Sequence, residues 1–262
     1  MEDLIVVNQS YICVLDSRNA NRYNNGTFNS SIIFEFEEPI THKSDSIMFT
    51  CCVLSFTCPN SVYIINELNN ILTINSISYN IPYGNYNATT FMSYFVSILP
   101  SFSISINPIN NKFTITNSSD FTINGNIYQI MGMVMNTTYT SINGSLTLPF
   151  PCNFNGIQSF NINFENLNTE NVDSFSKSNS SIIQSIPIDC TTQQISFNKT
   201  NNFSFLIKQD VINFIHVEIR DDLENLINLN NQHWNLTLQF LDTLNMDRFA
   251  QYHDFHRILG NK

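Results

Sequence analysis

The chain has 262 residues and a formal net charge of −10, with 42% hydrophobic residues and only 12% charged. That length buries a core without disulfide staples, and eleven Lys plus Arg supply no basic stripe to neutralise a phosphate backbone, which argues against direct nucleic-acid binding. No window approaches the roughly 18 consecutive apolar residues of a membrane span, and Met1-Glu2-Asp3-Leu4 lacks the basic stretch that opens a signal peptide, so the expectation is synthesis and retention in the cytosol.

The predicted elements are mainly strands. Ile32, Phe34 and Phe36 alternate with Glu35 and Glu37, a half-buried strand with a solvated face. From 47 to 56 both parities are apolar: Ile47, Phe49, Cys51 and Val53 on one side, Met48, Thr50, Cys52, Leu54 and Phe56 on the other. A central strand is expected there. Segments 71–74 and 76–81 read as a hairpin, Asn87 caps a helix over 88–99 that Pro100 stops, and 102–106 with 112–116 form a second hairpin. A helical turn over 127–131 ends at Gly132.

Further on, Phe160, Ile162 and Phe164 alternate with Asn161, Asn163 and Glu165, and 166–181 reads as a long surface loop. Phe203, Phe205 and Ile207 follow, then Ile215, Val217 and Ile219 against His216, Glu218 and Arg220, then Trp234, Leu236, Leu238 and Phe240. Beyond these, Leu241, Leu244, Arg248 or Phe249, Tyr252, Phe255 and Leu259 recur at helical spacing, which predicts a C-terminal amphipathic helix. Short strands separated by polar turns indicate a mostly β protein, a sandwich or barrel, with a small α+β domain (62–144) inserted between flanks 1–61 and 145–262.

Few residues suggest chemistry. Cys13, Cys51, Cys52, Cys58, Cys152 and Cys190 show no CxxC pair and no zinc spacing, and read as small buried apolar side chains. His253 and His256 are three apart on the expected helix, too few ligands for a metal site. Asp221, Asp222 and Glu224 are simplest as a turn, and lone His216 as a solvent-facing residue. The sequons, such as Asn25-Gly26-Thr27, arise readily in a chain where about one residue in six is Asn. No nucleophile elbow, phosphate loop or dinucleotide fingerprint occurs, so no enzyme, cofactor or metal is expected.

Several segments in order resemble the penton and minor capsid proteins of virophages and polinton-like viruses. They are Tyr11-Ile12-Cys13-Val14-Leu15-Asp16-Ser17-Arg18, then 28–36 with Pro39-Ile40, then Pro59-Asn60-Ser61-Val62-Tyr63 and Asn69-Asn70-Ile71-Leu72. The turn Ile81-Pro82-Tyr83-Gly84-Asn85-Tyr86 with its helix follows, then Ile130-Met131-Gly132-Met133, the run 212–219, and His233-Trp234-Asn235-Leu236-Thr237-Leu238. The resemblance implies a jelly-roll sandwich with an outward insert, five copies at each icosahedral vertex of a virion, and contact with the major capsid protein. Tyr83, Tyr86, Phe249, Tyr252 and Phe255 are the contact candidates. The C-terminal helix has no place in the family pattern. Alternatives are an internal cement protein and a carbohydrate-binding module using Tyr83 and Tyr86.

Overall fold

The computed structural model describes residues 6–23, 29–42, 46–167, 181–188, 193–199 and 204–245. Its strands fall where apolar side chains recur every second residue. The first four are β1 (Val6–Asp16), β2 (Arg22–Tyr23), β3 (Ser31–Thr41) and β4 (Ser46–Pro59). A middle stretch holds β5 (Ile71–Ile74), β6 (Ile77–Asn80), α1 (Ala88–Ile98), β7 (Ser103–Ile106), β8 (Phe113–Thr116), β9 (Thr122–Gly125), α2 (Tyr128–Met131), β10 (Tyr139–Thr140) and β11 (Ser145–Thr147). The last are β12 (Ser159–Phe164), β13 (Ile182–Pro187), β14 (Gln194–Asn198), β15 (Phe205–Leu206), β16 (Val211–Arg220) and β17 (Asn235–Asn245).

The chain divides into two units, one made of Met1–Val62 with Gln158–Lys262, the other of Tyr63–Ile157. In the first unit one sheet runs β1-β17-β4-β14, with β15 also paired to β4, and the other runs β13-β12-β16-β3-β2. Every pairing is antiparallel. Treating β14 and β15 as one position and β2 as an annex of β3 leaves eight strands. Their first, eighth, third and sixth members form one sheet, and their fifth, fourth, seventh and second form the other. This is the jelly-roll connectivity, in which Greek-key crossings place sequence neighbours in alternate sheets.

The inner faces of both sheets build the core. Phe160, Ile162 and Phe164 of β12, Ile215, Val217 and Ile219 of β16, and Leu236, Leu238 and Phe240 of β17 are all solvent-free. Trp234, just before β17, lies edge-on to Phe34 at 6.0 Å and beside Phe56 at 6.1 Å. Strand β4 departs from simple alternation. Its register on β17 runs Leu236↔Phe56 and Thr237↔Ser55, then skips Leu54 to Leu238↔Val53. This bulge reverses the side-chain parity, so Phe56 joins Val53, Cys51 and Phe49 against the inward β17 residues instead of sharing a face with Met48.

The expected C-terminal helix is corrected at its start. Leu241 to Asn245 continue β17, paired with β1 on one side, while 241–244 also pair with β4 on the other. Two ladders satisfy the backbone there, which outweighs the helical spacing of Leu241 and Leu244. The remainder, including Phe249, Tyr252, His253, Phe255 and His256, lies outside the described residues.

The second unit is an α+β assembly of two small sheets, β10-β9-β5-β6 and β11-β8-β7, with α1 and α2. It runs past the expected end at 144 because Ser145–Thr147 pairs with β8 and later backbone remains bonded to it, as in Cys152 N–H to Asn111 O at 2.8 Å. Asn87 caps α1 through a reciprocal pair: its Oδ1 accepts from Thr90 N–H at 2.9 Å, and Thr90 Oγ1 accepts from Asn87 N–H at 3.0 Å. Phe91 and Phe95 project from α1 into a solvent-free cluster with Phe113, Ile115 and Phe121. Gly132 ends α2 at φ 79°, where a Cβ would lie 2.1 Å from Phe150 O.

Candidate functional site

The turn residues separate into different environments. Tyr86 is half-buried in the core of the second unit, edge-on to Phe91 at 6.4 Å and to Tyr94 at 6.1 Å. Partial burial, with Tyr94 adding to it, raises its phenol above the usual range. It is a packing residue. Tyr83 is half-exposed, because the antiparallel bridge Ile65↔Gly84 turns Gly84 and Ile65 inward and Tyr83 the other way. Of the two, Tyr83 alone offers a free ring.

Acidic and histidine side chains are occupied locally. Asp221 Oδ1 accepts from the N–H groups of Leu223 and Asn225 at 2.9 and 2.8 Å, and Asp222 accepts from Gln158 N–H and Ser159 Oγ. Glu224 sits at φ 65° with its carbonyl bonded to Arg220. These are turn-building contacts.

His216 is corrected from a solvent-facing residue to a member of a polar row on the outer face of the β13-β12-β16-β3 sheet. The row follows the register Ser31↔Glu218↔Asn163 across three strands. Ser31 Oγ donates to Glu218 Oε1 at 2.8 Å and lies 2.9 Å from His216 Nε2, while Arg220 Nε donates to Glu218 Oε2 at 2.9 Å. Ser31, Glu218 and Asn163 are all buried. Ser, His and Glu meet here, but Glu218 approaches the same Nε2 that faces Ser31, at 3.5 Å. A relay needs the carboxylate on the opposite ring nitrogen. The hydrogen bonds of the row tie Ser31 of β3 to His216, Glu218 and Arg220 of β16, while the Asn163 amide donates to Ser181 Oγ at 3.1 Å. Sequence reasoning missed the row because alternation assigns these residues to solvent.

A second His–carboxylate pair stands at an end of the other sheet. Asp242, fully buried, is 3.1 Å from His42 Nδ1, and the His42 ring stacks on Phe49 at 5.4 Å. Burial disfavours the thiolate at three cysteines: it pushes Cys13 up to about 11 and Cys58 up to about 12, and it raises Cys51 well above the ordinary thiol range. Among the described residues no three His, Cys, Asp or Glu side chains converge to hold a metal ion, and no helix is long and apolar enough to cross a membrane.

What the first unit presents instead is surface. Strand β1 pairs with β17 on one side only among the described residues, and Ile12 and Val14 are well exposed on its outer face. An eleven-residue strand whose other edge is unpaired among the described residues is a template for pairing with another chain.

No family model matches the chain, and no curated protein matches it. Among solved structures it is similar to the crystal structure of the mavirus penton protein. That similarity covers 91% of this chain and 100% of the other, at a TM-score of 0.46 and 12% identity.

Proposed function

We propose that this chain is a structural capsid protein of a virus, a penton that forms homopentamers at icosahedral vertices and acts by assembly, not by turnover. The observation that carries the reading is the jelly roll itself: two four-position antiparallel sheets, interrupted between β4 and β12 by a separately packed unit. The one-sided pairing of β1 and the exposed Ile12 and Val14 supply surface that a neighbouring copy would cover. The ordered segments that resemble virophage and polinton-like penton proteins support the same reading. In it the major capsid protein is the partner around each ring, the protein is made in the host cytoplasm, and its final location is the virion vertex.

Native mass spectrometry of the intact chain tests it. A five-subunit species is the expected result. A protein that stays monomeric and is absent from purified particles would refute the capsid reading, and a trimer or monomer found inside particles would favour an internal cement role. The exposed ring of Tyr83 motivates one second reading, attachment to a neutral glycan by stacking. A glycan array that stays silent at high protein concentration removes it.

A further inference from the structure

Charge is distributed unevenly along this chain. Between Tyr63 and Ile157 only Glu67, Lys112 and Asp120 are charged, which leaves ten basic and nineteen acidic residues, net −9, to the jelly-roll unit. Asp120 is committed internally, accepting from Gly144 N–H at 2.6 Å and Ser141 Oγ at 3.2 Å. The inserted unit therefore has a nearly uncharged surface, and that surface is rich in exposed apolar side chains.

Three of its loops are bonded side by side. Phe150 N–H donates to Gly132 O at 3.0 Å, and Cys152 N–H donates to Asn111 O at 2.8 Å. Together the segments 107–112, 132–136 and 149–153 present Ile109, 92% exposed, with Met135, Phe150 and Val134 each about half exposed. The only charge in these segments is Lys112. The close approach at Gly132 holds two of the loops together, since any side chain there would collide with Phe150 O and Pro151 O. Aromatic residues and Met with few charges are the composition of an interface centre, and Met side chains adapt to an opposing surface.

We infer that this loop cluster is a contact between copies of the chain. The argument for a second copy is electrostatic. Two chains of net −10 repel where charged parts of their jelly-roll surfaces approach, outside apolar stretches such as Ile12 and Val14, and the inserted unit offers each a further surface that meets a neighbour almost without like-charge cost. A basic partner would instead be drawn to the acidic unit. The inference rests on the homo-oligomer reading above and adds a second place of contact to it, outside the jelly roll.

The test uses the full chain with Ile109→Ser and Phe150→Ser combined, and Leu223→Ser, a half-exposed residue of the jelly-roll unit, as the matched control. Sedimentation velocity over a concentration series should show the double variant associating at least tenfold more weakly than wild type, at unchanged melting temperature, while the control associates normally. Raising salt, which shortens the Debye length from about 10 Å at 0.1 M to about 3 Å at 1 M, should strengthen wild-type association or leave it unchanged. Weakening with salt would assign the contact to ion pairs and overturn the inference. A ring that persists in the double variant overturns it and leaves the penton reading standing. A wild type that is monomeric throughout overturns both.

Discussion

Trp234 is the only tryptophan of the chain, and its replacement by Phe offers a sharp test of how the jelly roll is held together. Its ring is fully buried against Phe34 and Phe56, which come from different sheets. Its Nε1–H donates to Asn29 O at 2.8 Å, and its backbone N–H donates to Ser17 Oγ at 2.9 Å. Trp234→Phe keeps one ring but leaves the buried Asn29 carbonyl without that donor, which costs about 1–3 kcal/mol. The lost ring atoms bring the total to about 2–4 kcal/mol, short of the ~3–5 kcal/mol of a full Trp→Ala truncation. For a unit of this size, each kcal/mol shifts the midpoint by about 2–4 °C, so a fall of ~4–16 °C is expected in thermal melts followed by far-UV circular dichroism. Ser17→Ala, which strands the Trp234 N–H while leaving both rings in place, should cost ~1–3 kcal/mol. If Trp234→Phe moves the midpoint by less than about 2 °C, Trp234 is not the fastener between the sheets that its contacts indicate.

Other expected outcomes follow from the same geometry. Gly132→Ala places a Cβ against Phe150 O at a left-handed φ and should destabilise the inserted unit by about 1–3 kcal/mol or more, read as a lowered melting transition while emission from Trp234 stays unchanged. Asn87→Ala removes the cap of α1 and should cost about 1 kcal/mol, with Asn87→Gly closer to wild type; equal losses would show that the cap hydrogen bond contributes little. Because burial raises Cys58 to about 12, well above the ordinary thiol range, the unfolded thiol ionises first as pH rises. Its contribution to stability is complete below about pH 9 and is lost between there and about pH 12, so Cys58→Ala should flatten the alkaline limb of a stability-against-pH curve. Cys51, Cys52 and Cys58 of the native protein should also react slowly with thiol reagents at pH 8, and labelling of these three within minutes, located by peptide mass mapping, would contradict their burial.

Much of the strand pattern can be read from side-chain alternation because most strands of the sandwich bury an apolar inner face. Ile215, Val217 and Ile219 could hardly be placed otherwise, and Asn87 and Gly132 announce a helix start and stop by chemistry that acts within a few residues. Alternation fails where a non-local partner intervenes. The bulge in β4 is set by its register with β17, and Leu241 to Asn245 are strand because β1 and β4 lie beside them. Neither partner is visible in a local window. The same limit hid the row through Ser31, Glu218 and Asn163, whose members lie more than 50 residues apart along the chain. Of the two turn tyrosines, only the bridge at Gly84 decides which ring packs inside and which faces out.

The position of β17 also governs the order of events at the ribosome. Strands β1 and β4 of the same sheet are not neighbours; β17 separates them, pairing Val6 with Asn245 on one edge. Until the last strand is synthesised that sheet has no middle, while the inserted unit, complete by Ile157, has all its sheet partners. At about 5–20 residues per second, some 10–50 seconds separate the emergence of β1 from that of β17. During that interval β1 lacks its β17 partner and β4 has only β14 and β15 to pair with, so both keep an open edge of the kind prone to pair with another nascent chain. Early closure of the sparsely charged insert removes about a third of the chain from that hazard and leaves the like-charged jelly-roll segments to keep nascent chains apart by repulsion.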